Sequence, residues 1–137
     1  MLPHRTPESG ALSGFPQSAQ ARVVATHVNG DYAAVYVVTH ATDDRGDWLA
    51  LMHKGSEGWR EVGGGDGGQM WVLCGDTEED EEGVVVQAHP VERPGTYLVR
   101  AGLREATVRV EGSHLVAVLV GVSADEWSST RTTLISG

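Results

Sequence analysis

Apolar positions along the chain recur with a period of two rather than 3.6, in short runs separated by turn residues. The clearest case is Glu105–Glu111. Ala106, Val108 and Val110 fall on one side there, and Glu105, Thr107, Arg109 and Glu111 on the other. Tyr97 and Val99 supply the matching apolar side of Thr96–Arg100. His114–Val122 and Tyr32–Val38 are apolar on both sides, as strands covered on both faces are. The same pattern predicts strands at Arg22–Val28, Tyr32–His40, Trp48–Lys54, Trp59–Val62, Gln69–Cys74 and Val84–His89, with a weaker last one at Arg131–Ile135. Turn signals such as Asn29-Gly30-Asp31, Pro94-Gly95 and Glu111-Gly112-Ser113 recur roughly every ten residues. Only Ser123–Ser129 offers a short helical turn, with Ser123 as its cap. This rhythm is that of a sandwich or a barrel, and the expectation is an all-β, mainly antiparallel β-sandwich with about nine to ten short strands.

A length of 137 residues is one domain's worth. Residues 1–20 read as a flexible N-terminal leader, with Phe15 its only large aromatic anchor. Pro3, Pro7, Glu8 and Pro16 interrupt every run that a secretory signal needs, and the best apolar run, Leu115–Val122, is too short for a membrane span. A cytoplasmic location follows by default. The acidic segment Asp76-Thr77-Glu78-Glu79-Asp80-Glu81-Glu82 separates two strand-rich halves, roughly 21–75 and 83–137. Each half alone is marginal in size, so a single sandwich over 21–137 is expected, with two sub-units joined at 76–82 as the alternative.

Charge narrows the partners. Ten basic residues against 19 acidic give a formal net charge of −9. Nucleic acid and anionic membranes select a basic footprint, so neither is expected. A single cysteine, Cys74, excludes a disulfide framework and a cysteine-rich zinc module.

Candidate chemistry is sparse. Either short loop for the 48–62 hairpin puts Leu49, Leu51 and Val62 on one face. Trp48, Met52 and Trp59 then share the other with Lys54, Glu57 and Glu61, as an interface or a half-exposed rim. The run Gly63-Gly64-Gly65-Asp66-Gly67-Gly68 lacks the lysine and helix of a phosphate loop and reads as an inter-strand loop. The acidic run lacks calcium-loop spacing and reads as a solvated loop, with a cation patch or a docking site for a basic partner as alternatives. In an antiparallel meander His27 and His53 share an edge, where Asp47 or Glu57 would complete a metal pair, although strand-end surface histidines are the ordinary outcome. Cys74 lies near Asp76 and Glu78, which oppose thiolate formation, so it reads as buried and inert. Ser113-His114 and Ser128-Ser129 lack a nucleophile elbow.

Asn29-Gly30-Asp31-Tyr32-Ala33-Ala34-Val35, then Leu49–Lys54 and Glu57-Gly58-Trp59-Arg60-Glu61-Val62, resembles uncharacterised actinobacterial β-sandwich proteins. In these a Gly-Asp-aromatic-Ala strand precedes a hairpin ending in Gly-Trp. Leu73-Cys74-Gly75, Val84–Val86, Glu105–Val110 and Val116–Val120 look like their immunoglobulin-like or fibronectin-like half. The resemblance spans about 22–122 and implies a fold but no activity. No catalytic residue, cofactor or metal ligand emerges. The expected function is a non-enzymatic interaction module for an unknown protein partner, or for self-association. Its surfaces would be Trp48, Trp59, Trp71 and the acids Asp76, Glu78, Glu79, Asp80, Glu81 and Glu82. The alternatives are a small-ligand or sugar binder stacking on Trp48 and Trp59, and an enzyme built on His27, His53 and nearby carboxylates.

Overall fold

The alternating runs fold as strands. The computed structural model describes residues 6–15, 20–39, 47–65, 68–73, 82–123 and 130–136. Among them lie one short helix, α1 (Pro7–Leu12), and ten strands. These are β1 (Arg22–Asn29), β2 (Tyr32–Val38), β3 (Asp47–Gly55), β4 (Gly58–Gly65), β5 (Gly68–Leu73), β6 (Glu82–Pro90), β7 (Gly95–Ala101), β8 (Arg104–Val110), β9 (His114–Ser123) and β10 (Arg131–Ser136). Three sheets form, in the orders β1-β2-β3-β4, β5-β6-β9 and β10-β7-β8. Every strand pair is antiparallel. The fold is all-β and sandwich-like.

The middle sheet, β5-β6-β9, carries the doubly apolar β9, and parity sends alternate residues of β6 and β9 to opposite cores. Val85, Leu115, Ala117 and Leu119 meet Tyr97, Val99, Val108 and Val110 of the third sheet. Val84, Val86, Ala88, Val116 and Val118 meet Ala34, Tyr36, Leu49 and Leu51 of the first. Each fully buried leucine or valine contributes about 1.5–3 kcal/mol. Because β5 precedes the acidic run and β6 follows it, Trp71↔Val85 pairing joins the two halves of the chain in one sheet. Strands drawn from both halves thus belong to one sheet.

Two side chains of β1 stitch the first sheet to the middle one. In an antiparallel pair every second residue turns both backbone groups away from its partner. Val118, opposite Val86 at the edge of the middle sheet, does so. Its N–H donates to His27 Nδ1 at 3.0 Å, and its carbonyl accepts from Asn29 Nδ2 at 3.1 Å. Further along, a bulge at Gly121 frees a carbonyl that accepts from Arg104 Nε at 3.3 Å, which joins β8 to the same edge.

The leader expectation is corrected over residues 7–12. Thr6 Oγ1 accepts from the Ser9 N–H at 3.1 Å, Pro7 occupies the first turn, and Glu8 suits its positive end. So short a helix is unstable alone and exists through packing. Ala11 is buried, and Leu12 and Phe15 pack beside it on Ala33, Val35, Val37, Ala50, Met52 and Trp59 of the first sheet. Phe15 thus anchors the chain just past the helix. The candidate helical turn at Ser123–Ser129 lies outside the described residues, apart from Ser123, which closes β9. No helix among the described residues is long and apolar enough to cross a membrane.

A Cβ at Gly10 would stand 2.7 Å from Met52 Cε and 3.1 Å from the Trp59 carbonyl oxygen. Gly10→Val should therefore lift α1 off the sheet at a cost of about 1–3 kcal/mol. Urea unfolding measures the loss, and an unchanged midpoint would contradict this packing.

Candidate functional site

The structure redistributes the expected surface residues. Trp48, Met52 and Trp59 do share a face of the β3–β4 hairpin, as parity predicts, but that face packs under α1. Trp59 is only 7% exposed, so it is no open stacking platform. Trp48 is half-buried, and its Nε1 donates to Glu61 Oε1 at 3.3 Å. The indole lies over Gly64, where a Cβ would be 2.6 Å from it. The glycine run is therefore not simply a loop. Gly63, Gly64 and Gly65 are strand residues opposite Leu51, Ala50 and Leu49. Val62, expected beside Leu49 and Leu51, falls in the bulge between these pairs and Met52↔Glu61, and is 40% exposed.

His27 and His53 do not converge. His27 lies opposite Ala34 and His53 opposite Tyr32. His27 is held by Val118, while the His53 ring stacks on Tyr32 with centroids 4.7 Å apart. Among the described residues no three His, Cys, Asp or Glu side chains are grouped to hold a metal. Trp71 lies in β5 opposite Val85, and Glu82 opens β6. Cys74 and the acids Asp76, Glu78, Glu79, Asp80 and Glu81 lie outside the described residues.

A cleft of about 550 Å³ opens where the middle sheet narrows. β5 starts at Gly68, opposite Ala88, so His89 and Pro90 extend beyond it, and β10 overhangs them from the third sheet. The lining is His89, Pro90, Val91, Glu92, Arg93, Tyr97, Thr132 and Leu134. Its wall is pinned from three directions. Tyr97 OH donates to the Arg93 carbonyl at 2.6 Å, Val91 N–H to the Ser113 carbonyl at 2.9 Å, and buried Gln87 Nε2 to Thr132 Oγ1 at 3.1 Å. The volume falls in the range of small-ligand pockets, about 300–1,000 Å³. An apolar floor of Val91, Tyr97 and Leu134 is rimmed by exposed Glu92 and Arg93, which suits a partner with both apolar and polar groups. Sequence reading missed this site because β10 reaches it from far along the chain. The one local signal is the stiff connection from Pro90 to Pro94.

A second polar cluster uses Tyr36, Asp47 and His114. Tyr36 OH donates to Asp47 Oδ2 at 2.6 Å, and its ring lies 5.4 Å from that of His114. Burial first, then the bond to Asp47 and its negative charge, push the phenol up to about 12. The phenol is thus protonated at neutral pH and donates to Asp47. Ser113 Oγ is 3.2 Å from His114 Nδ1. A nucleophilic triad needs its carboxylate on the base, whereas Asp47 takes its bond from Tyr36.

Burial lowers the His27 pKa from its ordinary value of 6.5, and the Val118 N–H requires Nδ1 to be unprotonated. As pH falls through about 6.5, the unfolded chain takes up a proton that the folded chain refuses. Stability is therefore fully present above that value and declines below it, until the folded pKa is passed. His27→Gln keeps an acceptor but not the titration, so urea midpoints measured from neutral to mildly acidic pH should decline less steeply for the variant. Parallel slopes would remove His27 as the cause.

Comparison with family models, with curated proteins and with solved structures returned no match.

Proposed function

We propose that the protein is a non-enzymatic interaction module whose cleft seats a short segment of a protein partner. The pinned cleft between the Pro90–Pro94 connection and β10 carries this reading. A preformed seat spares a ligand the cost of ordering the site. β10 is an edge strand, so its outer backbone groups lie beside the cleft, where an extended segment can add to the sheet. A sugar platform on Trp48 and Trp59 is disfavoured by the helix that covers Trp59. A His27–His53 site is disfavoured by the separate engagement of the two rings.

Short unstructured peptides selected from a displayed library on the whole protein test the proposal. Selected binders should lose about tenfold in affinity to Arg93→Glu or to Glu92→Lys, because both change the charge of the rim and spare the backbone bonds of the wall. Selection of no binder, or binders indifferent to both substitutions, would defeat the reading.

A further inference from the structure

The first sheet has α1 on its outer face and the middle sheet is covered on both, but among the described residues nothing packs on the outer face of the third. Register arranges that face in three rows. Arg131, Arg100 and Glu105 form the first, Thr133, Leu98 and Thr107 the second, and Ser136, Thr96 and Arg109 the third. All three arginines are exposed. Glu105 is the sole carboxylate in the rows, and Arg100 occupies it through Nε at 3.1 Å and Nη2 at 2.8 Å. Arg109 and Arg131 have no carboxylate partner among the described residues. In a chain of net charge −9 the three rows hold three arginines to one glutamate, and even with exposed Glu111, just past the end of β8, the face stays net positive.

Its two positive poles, Arg100 with Arg131 and then Arg109, are four residues apart along the strands, or roughly 13 Å. Leu98 lies midway, flanked by threonine hydroxyls. We propose that this face docks an extended acidic segment of a partner protein, with carboxylates four residues apart at the arginine poles and a small apolar side chain between them on Leu98. Alternation in an extended chain puts those three side chains on one side. The site is separate from the cleft. Fields between exposed charges fade over about 8 Å at physiological salt, so the local sign of the face outweighs the distant net charge. Three arginines and no aromatic in the rows suit nucleic acid poorly, since it selects dense phosphate contacts or stacking platforms. Pairing of this face with itself would oppose two surfaces that each carry three arginines and one glutamate.

The test is fluorescence anisotropy on the full chain at low ionic strength. The probe is a labelled peptide with blocked termini, two glutamates four residues apart and valine midway. Saturable binding is expected. It should weaken about tenfold with Arg131→Glu and with Arg109→Glu, less with Arg131→Gln, and vanish in high salt. Placing the glutamates three apart should also weaken it, since they then point to opposite sides of the strand. Arg60→Glu on β4 and Arg93→Glu at the cleft should leave it unchanged, which separates failure here from failure of the cleft reading. Exposed substitutions of this kind perturb folding little, and circular dichroism checks it. Absent binding overturns the proposal, as does indifference to glutamate spacing or an equal loss with Arg60→Glu. Tighter binding of heparin or single-stranded DNA would assign the face to another polyanion. Salt-sensitive self-association removed by Arg131→Glu would assign it to a second copy.

Discussion

One exposed strand edge sets the terms for the molecule. β9 ends the middle sheet, and an unpaired edge invites pairing with other chains. Here side chains take the place of a further strand. His27 accepts from the Val118 N–H, Asn29 donates to its carbonyl, and Arg104 donates to the Gly121 carbonyl freed by a bulge. Each bond adds only about 0.5–1.5 kcal/mol net. Their larger effect is registration, because they hold β1 of the first sheet and β8 of the third against the same edge. With that margin aligned, the alternate residues of β6 and β9 drop into two cores instead of one. His27 has to remain neutral to play this part, so the seam between the layers is also where acid acts.

Closure of one margin leaves the other open. β4, β5 and β10 end their sheets opposite the sealed side. The cleft forms on that open margin, because β5 stops short of His89 while β10 continues over it. The asymmetry of the layers has a parallel consequence. The far face of the first sheet lies under α1, so Trp59 is buried and Trp48 half-buried against it. The far face of the third alternates arginine, threonine and one leucine, a composition that tolerates water and favours an acidic partner. Both surfaces proposed for binding therefore lie on or beside the third sheet, away from the residues whose chemistry looked most distinctive in the sequence.

Alternation made most of the fold legible. Ala106, Val108 and Val110 were readable as a buried face because period two survives in any register, and the doubly apolar β2 and β9 announced covered strands. The parity of the β3–β4 hairpin was also readable for Trp48, Met52 and Trp59. What covers that face was not, since six helical residues held by packing leave no periodicity long enough to recognise. The glycine run misled for a related reason. Local propensity reads three glycines as a loop, but Gly64 is a strand residue because an indole from β3 occupies its side-chain space. His27 and His53 were placed on a shared margin by topology alone. Their partners, Val118 and Tyr32, came from tertiary packing that strand counting does not carry.

The open margin still has to avoid indiscriminate pairing, and each of its strands does so differently. β4 carries the Val62 bulge, with Arg60 and Glu61 exposed beside it, and bulges and charges both spoil a flat template. β10 is short and bulged between Leu134 and Ser136. β5 is only six residues long, a small template for another chain. Devices of this kind blunt an edge without closing it, so the open margin keeps room for the cleft beside β10.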